Sequence, residues 1–271
     1  MTDSMKDRMI STNDVRNAFR KITVIYWRDV TTLWRLPVNS IFMAILFFLL
    51  SLLFFASIVQ QDALSTVTFQ TLTLTPLLGN LHFLFIFLGP LYAIKIMNEE
   101  TTSKMIDEYV LSPASLFSFL VARWLSLMTY MFAILFLSLI YPLASSVITD
   151  GVDWGSFLTG LFGIYLAVGF YFSIALFISS IFIETQNFLI IATLLSWVII
   201  LALFFLQTIS QGLSNLYLQE LFFYLGPNHH FQLFVSGSIR SYSVVYFLSF
   251  SFLFLWSALE MLNAKKTLRG P

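Results

Sequence analysis

Six stretches of about twenty residues or more contain no Asp, Glu, Lys or Arg: 36–61, 63–94, 124–149, 154–183, 185–219 and 241–259. A bilayer crossing takes about 20 apolar residues as a helix. In hydrocarbon every backbone polar group must be paired internally, so such runs have few folds open to them. Only 10% of the 271 residues are charged and 58% are hydrophobic, whereas an ordinary soluble domain is roughly a quarter charged. The pattern predicts an all-α integral membrane protein with spans at about 38–60, 76–96, 124–143, 156–183, 188–206 and 244–262.

Before the first span, Val15, Phe19, Ile22, Tyr26, Val30 and Leu33 recur at helical spacing, with Arg16, Arg20, Lys21 and Arg28 mostly on other faces. A basic helix with an aromatic side lies in the membrane interface. Phe19, Arg20, Tyr26 and Trp27 are its marking residues, and Pro37 ends it. A soluble arm is the alternative. The predicted organisation is an arm and interfacial helix (1–36), a six-helix domain (37–264) and a tail (265–271). The charged opening has no uninterrupted apolar core and is not expected to be a cleaved signal peptide.

Basic residues orient such a chain. Thirteen of the fourteen fall on the side of the N-terminus: seven before span one, three within 95–123 and three after span six. Arg240 alone falls on the other. Both termini and the 95–123 segment are therefore expected in the cytoplasm. Gly226-Pro227 breaks the region 207–242, which is too amphipathic to span and predicts two short helices dipping into the outer face.

Chemistry is sparse. No phosphate-binding glycine loop, Gly-x-Ser-x-Gly or His-Glu-x-x-His pattern occurs, and the lack of cysteine removes disulfides and thiolates. No catalytic residue is expected. Ion-coupled carriers place ionisable groups at membrane depth, and here only His82 does so, expected as a packing or interfacial residue near the outer end of span two. His229-His230 reads as polar surface rather than a metal site, and the nine Met follow no repeated spacing.

The segment 95–123 carries charges of both signs between two spans. Met105, Ile106, Tyr109 and Val110 form one apolar stripe. Glu99, Glu100 and Thr101–Ser103 suit an acidic, capped helix start, and Ser112-Pro113 suits the start of the next helix. A docking helix at about 99–112 is expected, with Tyr109 projecting; a plain connector is the alternative.

Glu99-Glu100-Thr-Thr-Ser-Lys-Met-Ile-Asp-Glu-Tyr-Val-Leu-Ser-Pro113 resembles the cytoplasmic signature of type-2 ABC transporter permeases. Glu99, Glu100, Ile106, Asp107, Ser112 and Pro113 match in register. Lys104-Met105 stands where Gly-Thr is usual, and Thr101-Thr102 where basic residues are common. The tail is similar to permeases of the gliding-motility and nitrous-oxide-reductase-maturation kind through His230-Phe231, Phe234, Gly237, Val244–Ser249, Phe252 and Phe254-Leu255, with Arg240 in place of an acidic residue.

The resemblance implies a half-size export permease in a bacterial cytoplasmic membrane, paired with a second copy or a paralogue. Two separate cytoplasmic subunits would bind the ATP and magnesium, and this chain none. Glu99, Glu100, Ile106, Asp107, Tyr109, Ser112 and Pro113 would couple to the ATPase, and the departures of this chain from the usual motif at Thr101, Thr102 and Lys104 imply a dedicated ATPase partner. Gly226, Pro227, Phe231 and Gly237 would be outer-side gate candidates. Lipids and an outer-side protein are further expected partners; nucleic acid is not. The rival is a non-transporting scaffold or force-transmitting subunit driven by an ABC ATPase. Uncharged, aromatic spans incline the cargo toward hydrophobic or amphiphilic molecules.

Overall fold

The structure, a computed structural model, describes residues 12–59, 73–102, 116–148, 152–183, 185 and 187–268, without the side chains of 12–19, 21, 99–102, 148 and 268. These residues are helical almost throughout, with no strand among them. In chain order the helices are α1 (Thr12–Arg35), α2 (Pro37–Val59), α3 (Thr75–Thr102), α4 (Leu116–Leu137) and α5 (Ile140–Ile148). They continue with α6 (Trp154–Phe182), α7 (Phe188–Ser210), α8 (Leu216–Leu225), α9 (Pro227–Val235) and α10 (Ser241–Leu268).

Six helical stretches are long and apolar enough to cross a bilayer: Pro37–Val59, Thr75–Asn98, Leu116–Val147, Trp154–Phe182, Phe188–Ser210 and Ser241–Thr267. The chain is a multi-pass membrane protein.

The spans are unequal. In α6, 83% of the apolar stretch is buried, against 11% in α2. The sequence explains the difference. Without a hydrophobic drive between helices in lipid, close approach depends on small side chains, and α6 carries Gly160, Gly163, Ala167, Gly169, Ser173, Ala175, Ser179 and Ser180 along its buried length. A Cβ on Gly163 would lie 2.6 Å from the Cβ of Phe234, so α9 presses directly on this glycine. The Trp124 indole N–H reaches the Gly169 carbonyl at 3.0 Å. Helices α3, α4, α7, α9 and α10 all pack on α6. By contrast α2 directs Ile41, Ile45, Phe48, Leu52 and Phe55 outward, as a lipid-facing helix does.

Several boundaries depart from expectation. Span three begins at Leu116 rather than 124, and breaks at Ser138, whose hydroxyl turns back onto the Leu135 carbonyl at 2.6 Å. Arg123 therefore lies inside candidate span three rather than in the polar segment before it, while Lys95 lies in span two, whose expected bounds of 76–96 already held it. Helix α10 runs through Leu268 and takes Lys265 and Lys266 into its last turn. Pro90 sits inside α3.

Candidate functional site

Helix α1 packs along α4, with Ile25, Asp29, Val30 and Leu33 buried. Asp29 is an acid on the apolar face of a basic helix, and its partner comes from span three. Arg123 Nε approaches Asp29 Oδ2 at 3.1 Å, with both side chains at most 5% exposed. The Arg123 NH1 group donates to the Ile96 carbonyl of α3 at 2.6 Å. Its guanidinium also stands 5.0 Å over the Phe119 ring, a favourable cation–π distance. One guanidinium thus joins α1, α3 and α4. Arg28 adds a second charge on Asp29 at 3.0 Å.

The neighbouring contacts complete this joint. Lys95 Nζ donates to Asn39 Oδ1 at 2.9 Å. Asn39 Nδ2 in turn donates to the Leu33 carbonyl at 2.8 Å, across the break between α1 and α2. Tyr26 and Thr129 share a hydroxyl–hydroxyl hydrogen bond of 3.0 Å. Trp34 meets Tyr130 edge-on, with centroids 5.4 Å apart. At the same end of the bundle Lys265 donates to the Ile181 carbonyl at 2.7 Å, placing a cation on the negative end of α6.

Among the expected interfacial residues, Tyr26 faces α4, while Trp27 is 60% exposed and Arg20 is exposed as well. Phe19 lies in the α1 backbone, its side chain outside the described residues. Helix α3 continues through Thr102, so Glu99 and Glu100 lie in its last two turns, just past the candidate span that ends at Asn98; the rest of the expected docking helix at about 99–112 lies outside the described residues. Ile106, Asp107, Tyr109, Ser112 and Pro113 lie outside the described residues.

At the opposite end the joint is neutral. Gly226 separates α8 from α9, and a Cβ there would come within 3.1 Å of the Gln207 backbone nitrogen. Pro227 takes the first turn of α9, where its missing N–H costs nothing. Gly237 closes α9 with φ +82°. Its N–H bonds the Phe234 carbonyl and that of Ser238 bonds Leu233, both at 3.0 Å, the paired arrangement that left-handed glycine caps make. Phe231 lies with its ring centroid 3.9 Å from that of His82.

His82 is 1% exposed and its Nε2 meets the Tyr171 hydroxyl at 2.8 Å. It is a packed residue two turns into α3, near the end of span two, as its expected packing role requires. His230 is also engaged, with Nε2 2.9 Å from the Tyr224 carbonyl and Nδ1 3.0 Å from Ser243 Oγ. A carbonyl only accepts, so Nε2 carries the proton and neutral Nδ1 accepts from the serine. Burial holds the His230 pKa below its ordinary value, partly offset by the Tyr224 carbonyl. Burial, then His230 and Arg240, push His229 the same way. Among the described residues no three His, Asp or Glu gather as metal ligands. Tyr246 Oη closes the cluster onto the Leu225 carbonyl at 2.6 Å.

Sequence reasoning misses the Asp29–Arg123 joint because it places Arg123 in the polar segment that precedes span three. A signal existed: Asp29 falls three residues after Tyr26 and four before Leu33, on the apolar stripe, where an acid needs a buried partner. No protein-family model and no curated protein matches the chain.

Proposed function

We propose that the chain is the membrane permease subunit of an ATP-binding cassette exporter, driven by ATP hydrolysed on a separate cytoplasmic subunit. The observation that carries this reading is the three-way joint at Arg123. Helices α3 and α4 both extend from that joint toward the 103–115 segment, and α1 is fastened to them there by the Asp29 pair. A subunit that grips the segment 99–113 therefore moves three helices as one lever. The resemblance of 99–113 to permease docking segments supports the ATPase as that subunit. The central helix α6, packed by five others, receives the movement.

In this reading both termini and the joint face the cytoplasm, and α9 faces outward. The chain works beside a second permease chain, its own copy or a paralogue.

The test is affinity purification from the native membrane with mass spectrometry and an ATPase assay. An ATP-binding subunit should co-purify, and Glu99→Arg with Glu100→Arg should release it while leaving the permease folded. If gentle extraction brings down no ATPase, the permease reading falls and a membrane scaffold takes its place.

A further inference from the structure

Between one face of α3, one face of α9 and Phe204 of α7 lies a cavity of about 440 Å³. Its wall on α3 carries Thr75, Gly79 and His82, spaced as one helical face. Thr75 lies twenty residues from Lys95, ~30 Å along a helix, which is the thickness of the bilayer core. The cavity therefore runs from one membrane boundary inward, away from the Arg123 joint.

Its lining is chemically divided. Half-buried Phe204, with the buried and mutually packed His82 and Phe231 rings beside it, forms an aromatic side, and Thr75, Asn228, Gln232 and Ser236 a polar one. No charged residue takes part. The polar groups hold unused capacity. Asn228 gives its amide N–H to Gln207 Oε1 at 3.0 Å, which leaves its own carbonyl oxygen. The Ser236 hydroxyl donates to the Leu233 carbonyl at 2.8 Å, which leaves its lone pairs. Among the described residues, the Thr75 hydroxyl and the Gln232 side-chain amide make no hydrogen bond.

These features select a ligand class. A charged ligand would sit there without a counter-charge, at high cost. A purely apolar one would strip water from the two amides and the hydroxyls without replacing it. A sugar ring satisfies both walls, with C–H faces for the aromatic side and a rim of neutral hydroxyls for the amides. We propose that this cavity binds the neutral sugar ring of a glycan or glycolipid. The inference deepens the permease reading by naming a cargo class, and rests on it only for the direction of movement; binding itself requires no ATPase.

Gly79 allows a direct test, because a Cβ added there would meet nothing within 4 Å. Gly79→Leu carries its side chain into the cavity from a β-carbon that presses on no neighbour. The full chain in phosphatidylcholine nanodiscs is offered monoglucosyl-diacylglycerol, the same diacylglycerol without sugar, or phosphatidylglycerol, with retention read by native mass spectrometry. Free maltotriose is tested in parallel by hydrogen exchange across 227–236.

The glucosyl lipid should be retained at least about tenfold better than the bare diacylglycerol, since sites built to hydrogen-bond hydroxyls reject analogues lacking them. Gly79→Leu should abolish that preference with an unchanged unfolding temperature. Thr75→Val with Gln232→Ala should reduce it about tenfold, and keeps the test decisive if the leucine variant misfolds. Protection by maltotriose identifies a free glycan as the source; sugar-dependent binding of the lipid alone identifies a glycolipid. Equal retention of bare diacylglycerol, preference for phosphatidylglycerol, or undiminished binding by the variants would each overturn the proposal. Because the assay contains no ATPase, its failure is separate from failure of the permease reading.

Discussion

The two ends of the bundle close their helices with opposite chemistry. Around Arg123 the joints are ionic or cationic: Asp29 with Arg123, Lys95 on Asn39, Lys265 on the end of α6. Around α9 they are neutral: His230 on Ser243 and Tyr224, Tyr246 on Leu225, Asn228 on Gln207. A buried charge without its partner is strongly unfavourable, so an ionic joint moves as a unit. A neutral hydrogen bond contributes only about 1 kcal/mol net, and a joint built from several can rearrange one bond at a time. The first end suits transmission of a displacement; the second suits repacking around a ligand.

The largest expected effect breaks the ionic end. Arg123→Met leaves the buried Asp29 with only the half-exposed Arg28 beside it and should cost about 3 kcal/mol, the low end for a buried pair that loses one partner. Adding Asp29→Asn should recover much of that loss, as read by thermal unfolding in detergent. If the single and double variants unfold alike, the pair does not act as one joint.

At the neutral end, Gly163→Ala drives a methyl into the β-carbon of Phe234, which is not a yielding side-chain tip. Overpacking of this kind should cost about 1–3 kcal/mol and loosen α9, measured as faster hydrogen exchange across 227–235. His230→Ala removes partners from Ser243 and the Tyr224 carbonyl, with a loss of about 1–3 kcal/mol and no effect on exchange near Arg123.

Acidification sharpens the contrast further. Both His229 and His230 have pKa values held below the ordinary histidine value. The unfolded chain therefore takes up protons first, and the stability from neutral imidazole is present above the ordinary value near 6.5 and lost as pH falls below it. Unfolding at pH 5 should begin at the α9 end, and His229→Gln with His230→Gln should flatten the dependence. The smallest effect is expected on the lipid-facing side: Ile45 on α2 is 49% exposed, and Ile45→Ala should change stability by less than about 0.5 kcal/mol.

Much of this architecture was legible in the chain. Charge-free runs located the six spans because hydrocarbon excludes ionised groups, and Gly226-Pro227 and Ser236-Gly237-Ser238 announced two short helices. Helix ends were legible only roughly. Thr101, Thr102 and Leu116 extend the spans as helix beyond the apolar core, and composition cannot separate a helix that projects into water from a loop. Which span is central was also hidden. The glycines and serines of α6 are a packing signal in retrospect, yet averaged over a whole span both α6 and α2 simply qualify as apolar enough to cross a bilayer. Pairings such as Arg123 with Asp29, or His82 with Tyr171, depend on which helices become neighbours, which one chain read alone does not state.

The Arg123 joint also bears on the order in which the protein can be made. Asp29 leaves the ribosome 94 positions before Arg123. Translation at about 5–20 residues per second separates the two by roughly 5–20 s. During that interval two spans are delivered to the membrane, and Asp29 has only the half-exposed Arg28 beside it, not the buried cation of α4. Helix α1 therefore waits at the membrane surface while two later helices, α2 and α3, are made, and locks only when α4 supplies Arg123.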